Sequence, residues 1–179
     1  MKQMPIRVTY TAGNQHCFSQ PHNVEKAKVD DIEALVRMRL DYLREDNGSL
    51  DECDIAAIRK DLPGYFRMHM NRDLFVYVIR DGQAIVSCAF LLVVVKPMSP
   101  AFVNGRTGTV LNVYTCPSYR RRGYAKMIME TLLHDAIDKQ ISVVELKSTR
   151  DGYPLYRSVG FSDDSSRYRM MKWNNAGFK

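Results

Sequence analysis

Two strand-forming segments separated by a two-residue turn constrain the fold more than any other feature of the sequence. Leu74–Arg80 and Gln83–Val95 are rich in Val, Ile, Leu and Phe, and Asp81-Gly82 lies between them. An Asp-Gly pair between two such runs favours a tight β-hairpin, because the turn needs residues that accept positive φ angles. The sequence therefore predicts two long antiparallel strands in the middle of the chain.

Helix and strand patterns alternate on both sides of this hairpin. The apolar spacing predicts a helix from Asp30 to Asn47 and a second helix from Ser49 to about Asp61, which Pro63-Gly64 breaks or kinks. In chain order, the other expected elements are a strand over Val24–Lys28, a loop over Pro97–Gly108, a strand over Thr109–Thr115, a helix over Arg121–Lys139, a strand over Ile141–Lys147, a short helix over Asp151–Val159 and a last strand over Arg167–Trp173. This order predicts an α/β (α+β) fold with a mixed, mostly antiparallel sheet flanked by helices.

The length of 179 residues is appropriate for one domain with a sizeable core. Residues 1–22 mix Gly, Asn, Gln, Ser and Pro, and we interpret them as an extension that is partly disordered. The domain then covers residues 23–179. A homodimer is compatible with these patterns, which do not fix the oligomeric state.

Composition excludes several functional classes. No apolar run reaches the roughly 18 residues of a membrane span, and the first residues lack a secretory signal, so we expect a cytoplasmic protein that does not bind membranes. The four cysteines include no C-x-x-C pair, so we expect free thiols and no metal site. The net charge of +6 favours an anionic partner. Nucleic acid is not expected to be that partner, because the basic residues are dispersed and no nucleic-acid motif is present.

A basic, glycine-containing turn joins a predicted strand to a predicted helix. It reads Arg120-Arg121-Arg122-Gly123-Tyr124-Ala125. The first N–H groups of a helix have no partner within the helix and carry the positive end of its dipole, so they can bind a pyrophosphate. Gly123 permits a close backbone approach, and the arginines add positive charge. Taken alone, the string is equally compatible with a solvated basic helix start or with part of a nucleic-acid patch.

The context of this turn resembles the GNAT acetyltransferase superfamily. The turn is similar to the [QR]-x-x-G-x-[GA] signature, Val110–Tyr119 resembles the fourth strand and the Pro-x-Tyr approach to the phosphate loop, and Ser148–Phe161 resembles the closing L-Y-x-x-x-G-F segment. The pattern from Ser148 to Tyr156 is more similar to bacterial small-molecule enzymes than to the ribosomal-protein group. The resemblance covers about Asn23–Trp173.

The resemblance implies a fold with strands four and five splayed apart, a site for acetyl-CoA between them, and no metal. The pantetheine arm is expected to bond the backbone of Val113 and Thr115, and the thioester to lie near Asn112 and Tyr156. The residues that the resemblance places at the cofactor are Leu111, Asn112, Val113, Tyr114, Thr115, Arg120, Arg121, Arg122, Gly123, Tyr124, Ala125 and Thr149. Many relatives have Asn where this chain has Thr149, which is shorter.

Tyr156 matches the family's catalytic tyrosine, and a packing role next to Gly160 is the alternative. The general base stays unassigned, because the positions at which some relatives carry glutamate are Thr109 and Val144. Glu145 is expected to point to the other face of its strand from Val144. Cys116 could instead act as a nucleophile, although no histidine lies near it in sequence.

The resemblance implies an N-acetyltransferase that moves an acetyl group to a primary amine of a small molecule in a ternary complex. A protein N-terminal or lysine acetyltransferase and a non-catalytic acyl-CoA sensor are the alternatives. The acceptor site is expected beside the first two helices, where Asp41–Asp54 contains six acids and one arginine. We hypothesise that this acidic cluster attracts a cationic amine, and the alternative is that its acids only cap helices or contact solvent.

Overall fold

A five-stranded sheet organises the chain in the computed structural model, which describes residues 23–165, 167 and 171–175. The strands are β1 (Glu25–Lys26), β2 (Leu74–Asp81), β3 (Ala84–Val95), β4 (Arg106–Thr115) and β5 (Val143–Glu145), and they lie in that order across the sheet. The pairs from β1 to β4 are antiparallel, whereas β4 and β5 are parallel. The predicted mixed, mostly antiparallel sheet is confirmed. Residues 1–22 and residues 168–170 of the predicted last strand lie outside the described residues.

Four α-helices accompany the sheet within the described residues: α1 (Ile32–Asn47), α2 (Glu52–His69), α3 (Tyr124–Asp138) and α4 (Tyr153–Ser158). Helices α1 and α2 pack on one face, where Leu35, Leu40 and Phe66 are fully buried. Helix α3 packs on the opposite face through Ile128, Met129 and Leu132. The sheet is thus covered on both faces, and the cofactor turn predicted from the sequence lies at the start of α3.

Helix α2 continues eight residues past the predicted end at Asp61 and contains Pro63. A proline inside a helix removes one backbone hydrogen bond and crowds the preceding turn. The apolar spacing nevertheless runs through it, because Ile55, Ile58, Leu62 and Phe66 all contact the same core cluster. Packing of that face outweighs the local cost of the proline, so the predicted break is wrong.

Strand β4 contains one residue more than its partner over the same stretch. Cys88 pairs with Tyr114, but Phe90 pairs with Leu111, so two steps along β3 match three steps along β4. Asn112 lies in this β-bulge with φ of 52°. A bulge of this kind bends the strand and interrupts its alternation of faces.

The pairing of β4 with β5 is confined to the beginning of β4. Thr107, Gly108 and Thr109 pair with Val143, Val144 and Glu145, and β5 then ends. Strand β4 continues for six residues, to Thr115, without β5 beside it. The expected separation of strands four and five is therefore present, and the bulge lies just beyond the point where they part.

Candidate functional site

The bulge at Asn112 is held by side chains from two directions. Asn112 is buried, and its Oδ1 accepts a hydrogen bond from Nη1 of Arg39 at 3.1 Å. Its Nδ2 donates to the sulfur of Cys88 at 3.5 Å. A non-glycine residue with positive φ is uncommon, and Asn tolerates it better than most because of its short polar side chain. The bulge is thus fixed both by helix α1 and by strand β3.

The phosphate-binding candidate is a turn with two residues in the left-handed region. Arg121 has φ of 62° and Gly123 has φ of 81°, and α3 begins at Tyr124 rather than at the predicted Arg121. Among the described residues, the N–H groups of Arg121, Arg122 and Gly123 have no hydrogen-bond acceptor. These three groups precede the first turn of α3 and form a set of donors suited to a pyrophosphate.

The three arginines of this turn have different surroundings. Arg120 donates to Glu45 of α1 at 2.5 Å and to the carbonyl oxygen of Thr115 at 3.0 Å. Arg122 donates to the carbonyl oxygen of Ser118 at 3.1 Å. Arg121 is exposed and makes no such contact within the described part of the chain. Arg121 is therefore the arginine most available to a ligand, whereas Arg120 already pairs with Glu45 of α1.

Tyr119 links this turn to the β2–β3 hairpin through a hydrogen bond. Its hydroxyl donates to Oδ2 of Asp81 at 2.6 Å, and the guanidinium of Arg122 lies 4.9 Å from its ring centroid. The two loops are far apart in sequence, so this contact is a tertiary constraint on the turn. It connects the segment before α3 to the β2–β3 hairpin.

Tyr156 lies on α4 and is positioned by a short turn that precedes this helix. Oγ1 of Thr149 accepts a hydrogen bond from the N–H of Gly152 at 3.1 Å. The Tyr156 ring packs edge-on against Phe161, with a centroid separation of 6.1 Å. In the described residues the Tyr156 hydroxyl has no hydrogen-bond partner. Thr149, which was expected at the cofactor, is engaged here in holding the turn.

The electrostatics of Tyr156 favour a neutral phenol. Burial raises the pKa of Tyr156 above its ordinary value, and the neighbouring phenol of Tyr42 raises this pKa further. A phenol of raised pKa keeps its proton at physiological pH and can donate a hydrogen bond. It is correspondingly poor at giving that proton away completely.

The profile of the acetyltransferase (GNAT) family matches residues 34–161 of the chain. That range includes the bulge, the turn before α3 and Tyr156, and it covers more than half of the sequence. The chain belongs to the GNAT family. It is accordingly an acyltransferase. Among curated proteins, no significant match to this chain is found.

Solved structures of other acetyltransferases have the same fold. A predicted acetyltransferase from Clostridium acetobutylicum, crystallised with acetyl-CoA, has 28% identity and a TM-score of 0.72, and the match covers 83% of this chain and 95% of that one. An N-acetyltransferase from Ralstonia eutropha has 24% identity and a TM-score of 0.70, with 83% and 97% covered. Glucosamine-6-phosphate N-acetyltransferase from Arabidopsis thaliana has 15% identity, a TM-score of 0.60, and 86% and 98% covered. The last two comparisons concern the fold alone.

Several site residues of this GNAT protein have no motif in the sequence. Arg39, Tyr42 and Glu45 lie on α1 and reach the region around β4. Glu45 accepts from the hydroxyl of Tyr114 at 3.1 Å as well as from Arg120, and the rings of Tyr42 and Tyr114 meet edge-on at 6.5 Å. The helical spacing of three residues places all three side chains on neighbouring turns of one face. That spacing is the one sequence signal that could have grouped them.

The predicted cofactor residues on β4 fall into two groups. Asn112 and Tyr114 are buried, and Tyr114 belongs to the core under α1. Leu111 is 40% exposed, and Val113 and Thr115 are half-buried. Ala125, in the first turn of α3, is half-buried, whereas Tyr124 is 6% exposed and packs in the core under α3. Contacts of Tyr114 and Tyr124 with a cofactor are therefore expected through the backbone rather than through the rings.

The positions considered for a general base lie at the edge of the β4–β5 pair. Thr109 donates from Oγ1 to Oε1 of Glu145 at 3.3 Å, and Nζ of Lys96 lies 3.9 Å from the same oxygen. Val144 packs in the core under α3, so Glu145 lies on the other face, as expected. No base is assigned by these contacts.

Cys116 is poorly suited to nucleophilic attack. It is half-buried, and burial raises the pKa of its thiol above the ordinary value. Its Sγ lies 3.7 Å from the sulfur of Met38. The thiolate is the reactive form of cysteine, so a raised pKa lowers its reactivity near neutral pH. Cys53, Cys88 and Cys116 are free thiols, and Cys17 lies outside the described residues.

Within the described residues, no group of three or more His, Cys, Asp or Glu side chains is arranged to hold a metal ion. None of the described helices combines the length and apolar character needed to span a bilayer.

Two adjoining clefts run between α1 and α2. The first has a volume of about 390 Å³ and is lined by Arg39, Leu43, Ala57, Ile58, Asp61, Leu62 and Tyr65. The second, of about 470 Å³, shares three of these residues and extends toward Ser49, Asp51 and Asp54 at the start of α2. These clefts are the candidate acceptor site, because Arg39 connects the first of them to the bulge at Asn112.

Proposed function

We propose that this enzyme transfers an acetyl group from acetyl-CoA to a primary amine of a small molecule, by direct attack of the amine in a ternary complex. The observation that carries this proposal is the adjacency of two features. A turn with free N–H donors opens α3, and the strand leading into it has lost its β5 neighbour and contains the bulge at Asn112. A polyphosphate with an extended amide-containing arm fits such a pair of sites.

Each part of the cofactor has a proposed set of contacts. The pyrophosphate accepts hydrogen bonds from the N–H groups of residues 121–125, with Arg121 supplying further charge. The pantetheine amides bond the backbone of Val113 and Thr115, beside which β5 no longer runs, and at Thr115 they share the carbonyl oxygen with Arg120. The acetyl-CoA in the Clostridium acetobutylicum structure supports the choice of cofactor.

The chemistry is attack of a neutral amine on the thioester carbonyl. The N–C bond forms, the C–S bond breaks, and the sulfur leaves as a thiolate while the amine loses a proton to solvent water. Full proton transfer from a phenol of pKa about 10 to a thiolate of pKa about 8.5 is uphill by roughly 2 kcal/mol. The raised pKa of Tyr156 increases this cost. We therefore assign Tyr156 a hydrogen bond to the developing thiolate rather than complete proton donation.

Two measurements test the proposal. Acetyl-CoA should raise the melting temperature of the protein, because a ligand of the native state stabilises it. A screen of amines with acetyl-CoA, read by release of free thiol, should then find small acceptors. Peptides with a free N-terminus or with a lysine belong in the same screen. Turnover with peptides alone would replace the small-molecule assignment with a protein acetyltransferase, and binding without any turnover would indicate a sensor.

A further inference from the structure

Arg39 is partly buried, and no carboxylate pairs with it in the described residues. Arg44, Arg80 and Arg120 each form an ion pair with an acidic side chain. Arg39 makes one hydrogen bond, from Nη1 to the neutral amide oxygen of Asn112. Its guanidinium also lies 5.4 Å from the ring centroid of Tyr42. Within the described part of the chain, the other N–H groups of this guanidinium have no protein acceptor.

The charge of Arg39 is only partly balanced by its surroundings. Burial lowers the pKa of Arg39, whereas Tyr42, Asp46 and Cys88 act in the opposite direction. Neither Asp46 nor Asp61, which lines the same cleft, forms an ion pair with it. Taking a cation out of water is costly unless a counter-charge or several hydrogen bonds compensate it. An anion at this position would supply both.

The space in front of Arg39 is a cleft with mostly apolar walls. Leu43 comes from α1, and Ile58, Leu62 and Tyr65 come from α2. A volume of about 390 Å³ is sufficient for a molecule of a few carbon atoms beyond the charged group. The guanidinium is planar and presents paired N–H groups that match the two oxygens of a carboxylate.

We propose that Arg39 binds the carboxylate of the acceptor and that the acceptor is an apolar α-amino acid whose side chain occupies this cleft. The inference rests on the proposed function. Since Arg39 bonds directly to Asn112, a carboxylate on Arg39 lies beside the bulge at which the thioester is placed. The group to be acetylated must then lie close to that carboxylate. An α-amine satisfies this requirement, and a distant amine does not.

Matched acceptors and matched variants test this proposal. Leucine is compared with leucinamide and 3-methylbutylamine, and phenylalanine with phenylalaninamide and phenethylamine, by kcat/KM from thiol release. The variants are Arg39→Gln and Arg39→Lys, with Arg37→Gln as the control, because Arg37 is exposed on the same helix. A charged hydrogen-bond pair contributes about 1.5–3 kcal/mol, which corresponds to roughly 10- to 100-fold.

The expected result is a preference of roughly tenfold or more for the amino acid over its amide and amine. Arg39→Gln should remove this preference by lowering kcat/KM for the amino acid at least roughly tenfold more than for the amine. Arg39→Lys should retain part of it, and Arg37→Gln all of it. Leucine should also raise the melting temperature of the CoA-loaded wild-type protein and not that of Arg39→Gln.

Three outcomes would overturn the inference while leaving acetyl-CoA binding intact. The first is equal use of acid, amide and amine, the second is acetylation of amines but of no amino acid, and the third is an equal loss for all acceptors in Arg39→Gln. The third outcome would mean that Arg39 only holds the bulge. Failure of the proposed function is distinguished separately, because acetyl-CoA would then not change the melting temperature in the absence of any acceptor.

Discussion

The ring of Tyr156 packs directly against the backbone of Gly152. A Cβ atom added to Gly152 would lie 2.9 Å from Cε2 of Tyr156 and 3.2 Å from Oγ1 of Thr149. Neither distance is tolerated without movement of a side chain. Glycine at this position thus lets the α4 turn approach the proposed catalytic phenol closely.

Replacing Gly152 by alanine should displace the Tyr156 ring and lower kcat. A catalytic group moved by a fraction of an ångström loses alignment, and we expect a decrease of roughly tenfold with acetyl-CoA affinity unchanged. Gly64→Ala is the matched control, because nothing lies within 4 Å of a Cβ at that helical position. Turnover in Gly152→Ala equal to that of the control would show that the ring position is unimportant.

Tyr156→Phe should lower kcat by about 10- to 100-fold, the range of a hydrogen bond made mainly in the transition state. The phenol has no partner among the described residues, so its removal leaves no buried group unsatisfied, and the melting temperature should stay the same. Steady-state kinetics and thermal unfolding check both parts. Wild-type turnover would assign Tyr156 to packing alone.

Gly123→Val should weaken acetyl-CoA binding strongly. Gly123 has φ of 81°, a region that costs a residue with a Cβ about 1–2 kcal/mol and that valine resists further. Gly48→Val is the control, because Gly48 has φ of 76° after the end of α1 and, like Gly123, has nothing within 4 Å of an added Cβ. Both variants should be destabilised, but Gly123→Val alone should raise the Kd measured by calorimetry. An unchanged Kd would remove the turn from the cofactor site.

Several of these residues could be recognised in the sequence, and their partners could not. Gly123 and Tyr156 belong to short sequence motifs, and the spacing of residues within each motif identifies them. Glu45 and Arg120 are 75 positions apart, and their pairing depends on where α1 crosses β4, which no local pattern specifies. The same reasoning applies to Pro63. Proline disfavours a helix interior, but the packing of the apolar face of α2 against the sheet outweighs that preference.

The acidic cluster contains fewer free acids than its composition implied. Asp41 pairs with Arg44, and Glu45 pairs with Arg120, so Asp46, Asp51, Glu52 and Asp54 are the acids that remain for recruitment. Neutralising Asp46, Asp51 and Asp54 should raise KM for a cationic amine several-fold at low salt. The effect should shrink at high salt, where screening shortens the field to a few ångströms, and should be absent for a zwitterionic acceptor.

The control for this triple variant is neutralisation of Asp30, Glu130 and Asp138, which are exposed and do not line the clefts. It changes the net charge by the same amount. KM values that rise equally in both triple variants would assign the effect to overall charge. An unchanged KM in the first variant would leave its acids with a helix-capping or solvation role.

Tyr77 should make the protein lose stability at alkaline pH. Burial and the hydrogen bond to Asp135 raise the pKa of Tyr77 far above that of an unfolded tyrosine. The associated stability is complete below about pH 10 and is lost as pH rises toward the folded-state pKa, by about 1.4 kcal/mol per pH unit. Tyr77→Phe should therefore show a shallower decline in unfolding free energy between pH 10 and 11. Identical slopes would contradict this assignment.

The extra residue in β4 also determines where this strand can lose a residue without rearranging the core. Val110 and Val113 both contact the core under α3, although residues three apart in a regular strand face opposite sides. Tyr114 consequently faces α1. Deleting one residue between Val110 and Val113 would leave these two valines two apart, on the same face of a regular strand, so the bulge would disappear while the later side chains of β4 kept their faces. A one-residue deletion elsewhere in β4 has no extra residue to remove and would exchange the two cores beyond it.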